Sequence, residues 1–131
     1  IGNHELWHAH PNSLSGDQLA KLIEDNEELL SDLTGQSHRL FAPPYGEFND
    51  RVLAKAGSLG YRTILWTLDT RDWQNPSPQT IVERIVPPAE NGAIILMHPK
   101  ENTLSALPDM IKGLQNKGLQ LIPVGELLYH Q

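Results

Sequence analysis

A parallel α/β sheet is the fold class this sequence predicts, and three observations predict it. Apolar stripes of helical period alternate with short apolar runs of strand length along the chain. One run, Gly92-Ala93-Ile94-Ile95-Leu96-Met97, is apolar throughout, as a strand covered on both faces is. Helix-start and helix-stop residues fall between the runs at strand–helix spacing, with no repeat and no low-complexity stretch. Strands are expected near 40–42, 62–67, 93–97 and 119–122. In such sheets the chemistry collects at the carboxyl ends of the strands.

The elements follow in order. Ser15-Gly16-Asp17-Gln18 is a capping box, and Leu19, Leu22, Ile23, Leu29, Leu30 and Leu33 form the stripe of a first helix closed by Gly35. Glu24, Asp25, Glu27 and Glu28 lie off that stripe and read as a solvated face. A short strand at Leu40-Phe41 runs into Ala42-Pro43-Pro44-Tyr45-Gly46, a loop stiffened by two prolines. Asn49 or Asp50 caps a second helix carrying Val52, Leu53, Ala56 and Leu59, with Gly60 beyond it. Tyr61 to Leu68 reads as a buried strand that empties into Asp69-Thr70-Arg71-Asp72-Trp73. Ser77-Pro78 opens a third helix in the favoured order of cap then proline. The apolar run ends on His98-Pro99. A fourth helix is expected from Leu104 to Lys117 with Pro108 near its start, then a strand at Leu119 to Ile122 and a helical turn from Glu126 to Tyr129.

Composition narrows the function. The 131 residues are 39% apolar, one domain's worth of chain with enough apolar material for a core, so 1–131 reads as a single domain. A net charge of −6 with no Lys/Arg cluster argues against a nucleic-acid surface. With no cysteine, neither a disulfide nor a thiolate metal site is possible. No apolar run approaches a membrane span and no signal peptide is present. The first residue is Ile and a motif begins at once, so the chain reads as a fragment with targeting signals upstream and an extracellular or cell-wall location.

His4 and His8 stand four apart, a spacing that puts two imidazoles on one face of a helical turn. Such a pair is half of a tetrahedral zinc site and lacks a third protein ligand. His10 reads as an outer partner or plain surface. Should the pair not be the site, His10, His38 and His130 are the remaining candidates. His98, just past a buried strand, is placed like a general acid. Asp72 is placed to hydrogen-bond an imidazole, Trp73 to wall an apolar pocket, and the Tyr45 N–H to stabilise an oxyanion. The plainer readings are an exposed turn for Asp72 and ordinary core for Trp73. Together these groups describe metal-assisted hydrolysis of an amide or ester.

Four stretches in order carry a family resemblance: Gly2-Asn3-His4-x-x-x-His8, Phe41-x-Pro43-Pro44-Tyr45-Gly46, Asp72-Trp73 and Leu96-Met97-His98. They resemble successive motifs of the polysaccharide deacetylases, carbohydrate esterase family 4, over essentially the whole chain down to Pro123-Val124-Gly125-Glu126-Leu127-Leu128. The resemblance implies a partial distorted (β/α) barrel of the NodB-homology type, removing N-acetyl groups from peptidoglycan or chitin-like polysaccharide with a divalent metal, usually zinc. It makes His4 and His8 metal ligands, Tyr45 the oxyanion donor, His98 the acid and Asp72 its partner. Pro44, Trp73 and Leu96 would contact substrate.

Three departures bear on activity. The family's Thr-Phe-Asp-Asp motif, carrying the third ligand and the base, is absent and would precede Ile1. The arginine that opens the proline loop is Ala42, and Glu5 stands where a Ser or Thr follows the first histidine. A catalytically inactive glycan-binding relative is therefore the alternative. His4-Glu5-Leu6-Trp7-His8 also spells the H-E-x-x-H of zinc metalloproteases, a lesser alternative because Pro11 would end its helix early.

Overall fold

The computed structural model describes residues 1–128. Tyr129 and His130 lie outside the described residues, so the end of the expected last turn and the most C-terminal histidine are not placed. Two compact units divide the chain, Ile1–Leu65 and Trp66–Gln131. Both are built from helices and parallel strands, which is the α/β class expected. Among the described residues no helix is long and apolar enough to cross a membrane.

In the first unit, α1 (Gly16–Thr34) opens on the expected box: the Gln18 N–H donates to the Ser15 hydroxyl at 3.2 Å, and the Ser15 N–H to the Gln18 side chain at 2.9 Å. It closes on Gly35, whose φ of 67° lets its N–H reach the Ser31 carbonyl. β1 (Leu40–Phe41) leads through the proline loop to α2 (Asp50–Ser58), capped by the Asn49 side chain on the Val52 N–H at 3.0 Å. β2 (Arg62–Thr63) then pairs parallel with β1, and Asn3 bridges to Phe41 on the other side. Leu19, Ile23, Phe41, Val52, Ala56 and Tyr61 form the core. Side chains as large as Phe41 and Ile23 each contribute about 1.5–3 kcal/mol by leaving water.

The stripe on α1 is only half used. Leu19 and Ile23 are buried, whereas Leu29 and Leu33 are exposed. Glu27 departs from the solvated face read for it. Its carboxylate accepts the His38 N–H at 2.7 Å and the Ser31 hydroxyl at 3.0 Å, with His38 Nδ1 3.7 Å away. Burial alone would raise its pKa, but these donors and the His38 ring outweigh it and hold the carboxyl below its ordinary range.

In the second unit, β3 (Leu68–Asp69) pairs parallel with β4 (Ile95–Leu96), and α3 (Pro78–Ile85) packs on α4 (Glu101–Asn116). Ile81, Ile85, Ala106 and Met110 are the core. Lys117, just past α4, donates from Nζ to the carbonyls of Val86, Pro87 and Ala89 at 3.0, 2.6 and 2.7 Å, closing the turn that follows α3. α5 (Val124–Leu127) is the last described element, followed by Leu128 as its cap.

Several boundaries move. The strand expected at 62–67 stops at Thr63, where the last ladder bond, Ile64 N–H to the Phe41 carbonyl, is made; residues from Leu68 pair with β4 instead. The long run Gly92 to Met97 yields a strand of Ile95–Leu96 only, because β4 finds just two partners in β3. α4 begins three residues before the expected Leu104, which leaves Pro108 inside it and not near its start. Leu119 to Ile122 forms no strand. It lines an apolar groove with Ile94 and Ile95 and has no neighbour to pair with among the described residues.

Candidate functional site

The first cluster belongs to the Ile1–Leu65 unit and starts from a buried asparagine. Asn3 is 1% exposed. Its backbone N–H donates to the Leu40 carbonyl and its carbonyl accepts the Ala42 N–H. Its side-chain amide donates to the Ile23 carbonyl at 2.8 Å, and its Oδ1 accepts the Glu5 N–H and the Asn26 amide, each at 2.9 Å. This ties the strand position beside β1 to α1 and fixes where His4 starts.

His4 and His8 come together, with ring centroids 5.0 Å apart, but not on a helical turn. Glu5 and His8 have φ of 65° and 54°, in the left-handed region that side chains rarely adopt. An extended Asn3 and a Glu5 carboxylate that accepts the Ala9 N–H at 3.0 Å fold the segment into an irregular loop. That corrects the helical reading and removes the setting an H-E-x-x-H protease needs. The His4 Nδ1–H donates to the Ala42 carbonyl at 2.6 Å.

Tyr45 stands among histidines. Its ring stacks on His10 (4.1 Å, 5° between planes) and meets the His8 ring edge-on at 4.5 Å. His10 Nδ1 in turn lies 2.9 Å from Glu47 Oε1. The Tyr45 backbone is left-handed at φ 58°, inside a turn closed by the Gly46 N–H on Pro43 and the Glu47 N–H on Pro44. Neither bond uses the Tyr45 amide. Pro44 is buried beneath this turn. Among the described residues no third His, Asp or Glu joins His4 and His8 in a metal-holding group.

The second cluster belongs to the other unit and sits just past the carboxyl ends of β3 and β4. Asp72 is fully buried, not an exposed turn residue. Its Oδ1 accepts His98 Nδ1–H at 2.6 Å, and its Oδ2 accepts the His98 backbone N–H and the Thr103 hydroxyl, both at 2.6 Å. Burial would raise the Asp72 pKa, but the Thr103 hydroxyl and the two His98 donors hold it below the usual carboxylate range. The Asn102 amide clasps the Asp72 backbone carbonyl at 3.1 Å. Trp73 is 57% exposed and so is not core, while Leu96 in β4 is half-buried.

Asn3, Asn26, Asn102 and Thr103 were not singled out from the sequence. Asn3 lies within a quoted motif, the only signal available. Thr103 falls before the expected start of its helix and carried none.

The family model described as polysaccharide deacetylase matches residues 1–64. The chain is 34% identical, over all of its length and 64% of the relative's, to a peptidoglycan-N-acetylglucosamine deacetylase of Bacillus cereus. A carbohydrate esterase family 4 pseudoenzyme from Bacillus anthracis matches 98% of this chain and 46% of its own, at 37% identity and a TM-score of 0.94. A mutant of that pseudoenzyme with restored enzymatic activity matches 98% of this chain and 47% of its own, at 36% identity and a TM-score of 0.94. A family 4 carbohydrate esterase from Streptomyces lividans in complex with acetate matches 91% of this chain and 62% of its own, at 34% identity and 0.86. The chain thus spans less than two thirds of each of these relatives. With motifs, family model and backbone in agreement, it belongs to the polysaccharide deacetylase family, carbohydrate esterase family 4.

Proposed function

We propose that this chain is the part of a polysaccharide deacetylase that supplies two metal ligands, the oxyanion donor and the leaving-group acid. The reaction is hydrolysis of N-acetyl (or O-acetyl) groups on a cell-wall or chitin-like polysaccharide. The named activity of the Bacillus cereus relative supports an N-acetylated glycan as substrate. An extracellular or wall-associated place of action goes with that substrate.

The observation that carries the reading is the His98–Asp72 contact of 2.6 Å. A buried carboxylate on Nδ1 fixes the imidazole so that Nε2 is the nitrogen left for chemistry, and His98 keeps 43% of its side chain exposed to use it. Protonated, Nε2 gives its proton to the departing amine as the carbon–nitrogen bond breaks. The Tyr45 N–H, held on a rigid turn, receives the negative charge that develops on the acetyl oxygen. Trp73 offers an exposed ring face to a sugar or acetyl group, and Leu96 an apolar surface for the methyl.

The donor chemistry of His4 fits a metal. A carbonyl oxygen only accepts, so Nδ1 carries the proton and Nε2 keeps its lone pair, the tautomer that metal-ligating histidines adopt. His4 and His8 would hold a divalent ion, zinc by ligand type, which when bound supplies Lewis acidity and an acidified water. The third ligand and the base are not among these residues.

Ala42 favours a second reading, a glycan-binding relative without turnover. Deacetylation of N-acetylated oligosaccharides by a longer protein that includes the upstream segment, with zinc supplied, tests the two. Release of acetate supports the enzyme; binding without release supports the alternative.

A further inference from the structure

We propose that Thr103 is a positioning residue for the His98–Asp72 pair, anchoring the carboxylate to α4 so that the imidazole holds one tautomer. The inference rests on the reading of His98 as the acid and deepens it.

Asp72 accepts three short hydrogen bonds, and two of the donors are His98's own backbone and ring. Both move when His98 moves. Among the described residues the Thr103 hydroxyl is the one side-chain donor to this carboxylate from outside the pair, and it comes from the first turn of α4. A carboxylate turns easily about its last torsion, whose preference is broad, so torsional energy does not set its plane. What sets it is the distribution of donors. With Oδ2 occupied by Thr103 and the His98 N–H, Oδ1 is the oxygen that faces the ring.

Thr103 suits this work. It is 4% exposed, so no water competes for the bond. Its branched Cβ restricts χ1 within a helix. Its neighbour Asn102 holds the Asp72 backbone carbonyl and reaches the Pro76 carbonyl at 3.3 Å, so one helical turn grips Asp72 at both ends. Loss of the hydroxyl leaves Oδ2 with a single donor and frees the carboxylate to swing. The neutral ring's preference for Nδ1–H then weakens, because the accepting oxygen is no longer held in place.

The test is a long-range 15N–1H correlation spectrum of His98 in the whole 131-residue chain, recorded where the imidazole is neutral. The native chain should show the Nδ1–H tautomer alone. Thr103→Val and Thr103→Ala should each raise the Nε2–H fraction, with a tautomer ratio shifted on the order of tenfold, the worth of one hydrogen bond to a charged group. Thr103→Ser should restore the native spectrum. A mixed tautomer in the native chain, or a native ratio in either folded variant, overturns the proposal. Failure of the acid reading is seen separately, as unchanged turnover in His98→Ala of the longer protein.

Discussion

His4 Nδ1 lies 2.6 Å from the carbonyl oxygen of Ala42. The bond uses the backbone, so it forms whatever side chain stands at position 42, and it leaves His4 Nε2 facing away with its lone pair. Zinc titrated into this chain should therefore bind through His4 and His8, more weakly than a site with a third protein ligand. Loss of an outer partner of a ligand costs about 10–100-fold in affinity, and loss of the ligand itself should cost no less. Calorimetric titration of His4→Ala and His8→Ala checks this; undiminished affinity in both would place any metal elsewhere.

Turnover should separate this chain from a longer one. Alone it is expected to be hydrolytically silent or nearly so, because base and third ligand act as a unit with the groups present here. In a longer protein that turns over, His98→Ala should lower kcat by about 10²–10⁴, the usual range for general acid catalysis. Where that protein is inactive, Ala42→Arg is the first reversion to assay. Efficient acetate release by the 131-residue chain would move Glu5 from bystander to base.

Acid should weaken the fold at two carboxylates. Asp72 and Glu27 both sit below their ordinary range in the folded chain, because their hydrogen bonds outweigh burial. A depressed carboxyl contributes stability that is complete above its unfolded pKa, about 4 here, and is lost as pH falls through the lower folded value. Chemical denaturation at pH 7 and near pH 3 should show the loss. Asp72→Asn should reduce the difference between the two, and an unchanged difference would exclude Asp72 as a contributor.

Asn3→Leu should be among the costlier single changes in its unit. The Ile23 carbonyl, the Glu5 N–H and the Asn26 amide all lose their partner, and leaving buried polar groups unpaired costs about 1–3 kcal/mol each before relaxation. A net loss of ~2–4 kcal/mol is expected in denaturant titration. A change within ±0.5 kcal/mol would mean that water replaces the amide.

What the sequence made legible were features fixed by local chemistry. The Ser15 box, the Asn49 and Ser77 caps and the Gly35 stop each depend on a few adjacent residues, and each stands where it was read. The His4–His8 partnership was also foreseen, though for the wrong reason. Spacing by four implied a helix, whereas positive φ at Glu5 and His8 and the sheet contact of Asn3 produce the approach. The strands are shorter than the apolar runs at 62–67 and 93–97 because an apolar run sets neither burial nor strand extent. Both runs are only half-buried or exposed, and a strand reaches as far as its partners, which are distant in sequence. Thr103 was invisible for a related reason: its importance lies in a contact with Asp72, and nothing local marks it.

Lys117 has a consequence for chemical labelling. Its ammonium has three protons and meets three carbonyl acceptors, those of Val86, Pro87 and Ala89. Acylating reagents attack the free amine, so each reaction must first break this clasp and release a proton. Lys55, on α2 of the first unit, carries no such burden, whereas Lys21 is itself held by the Asp25 carboxylate at 2.8 and 3.0 Å. In a timed acetylation followed by mass spectrometry, Lys117 is therefore expected to react later than Lys55. Its modification becomes a clock for the opening of the turn after α3.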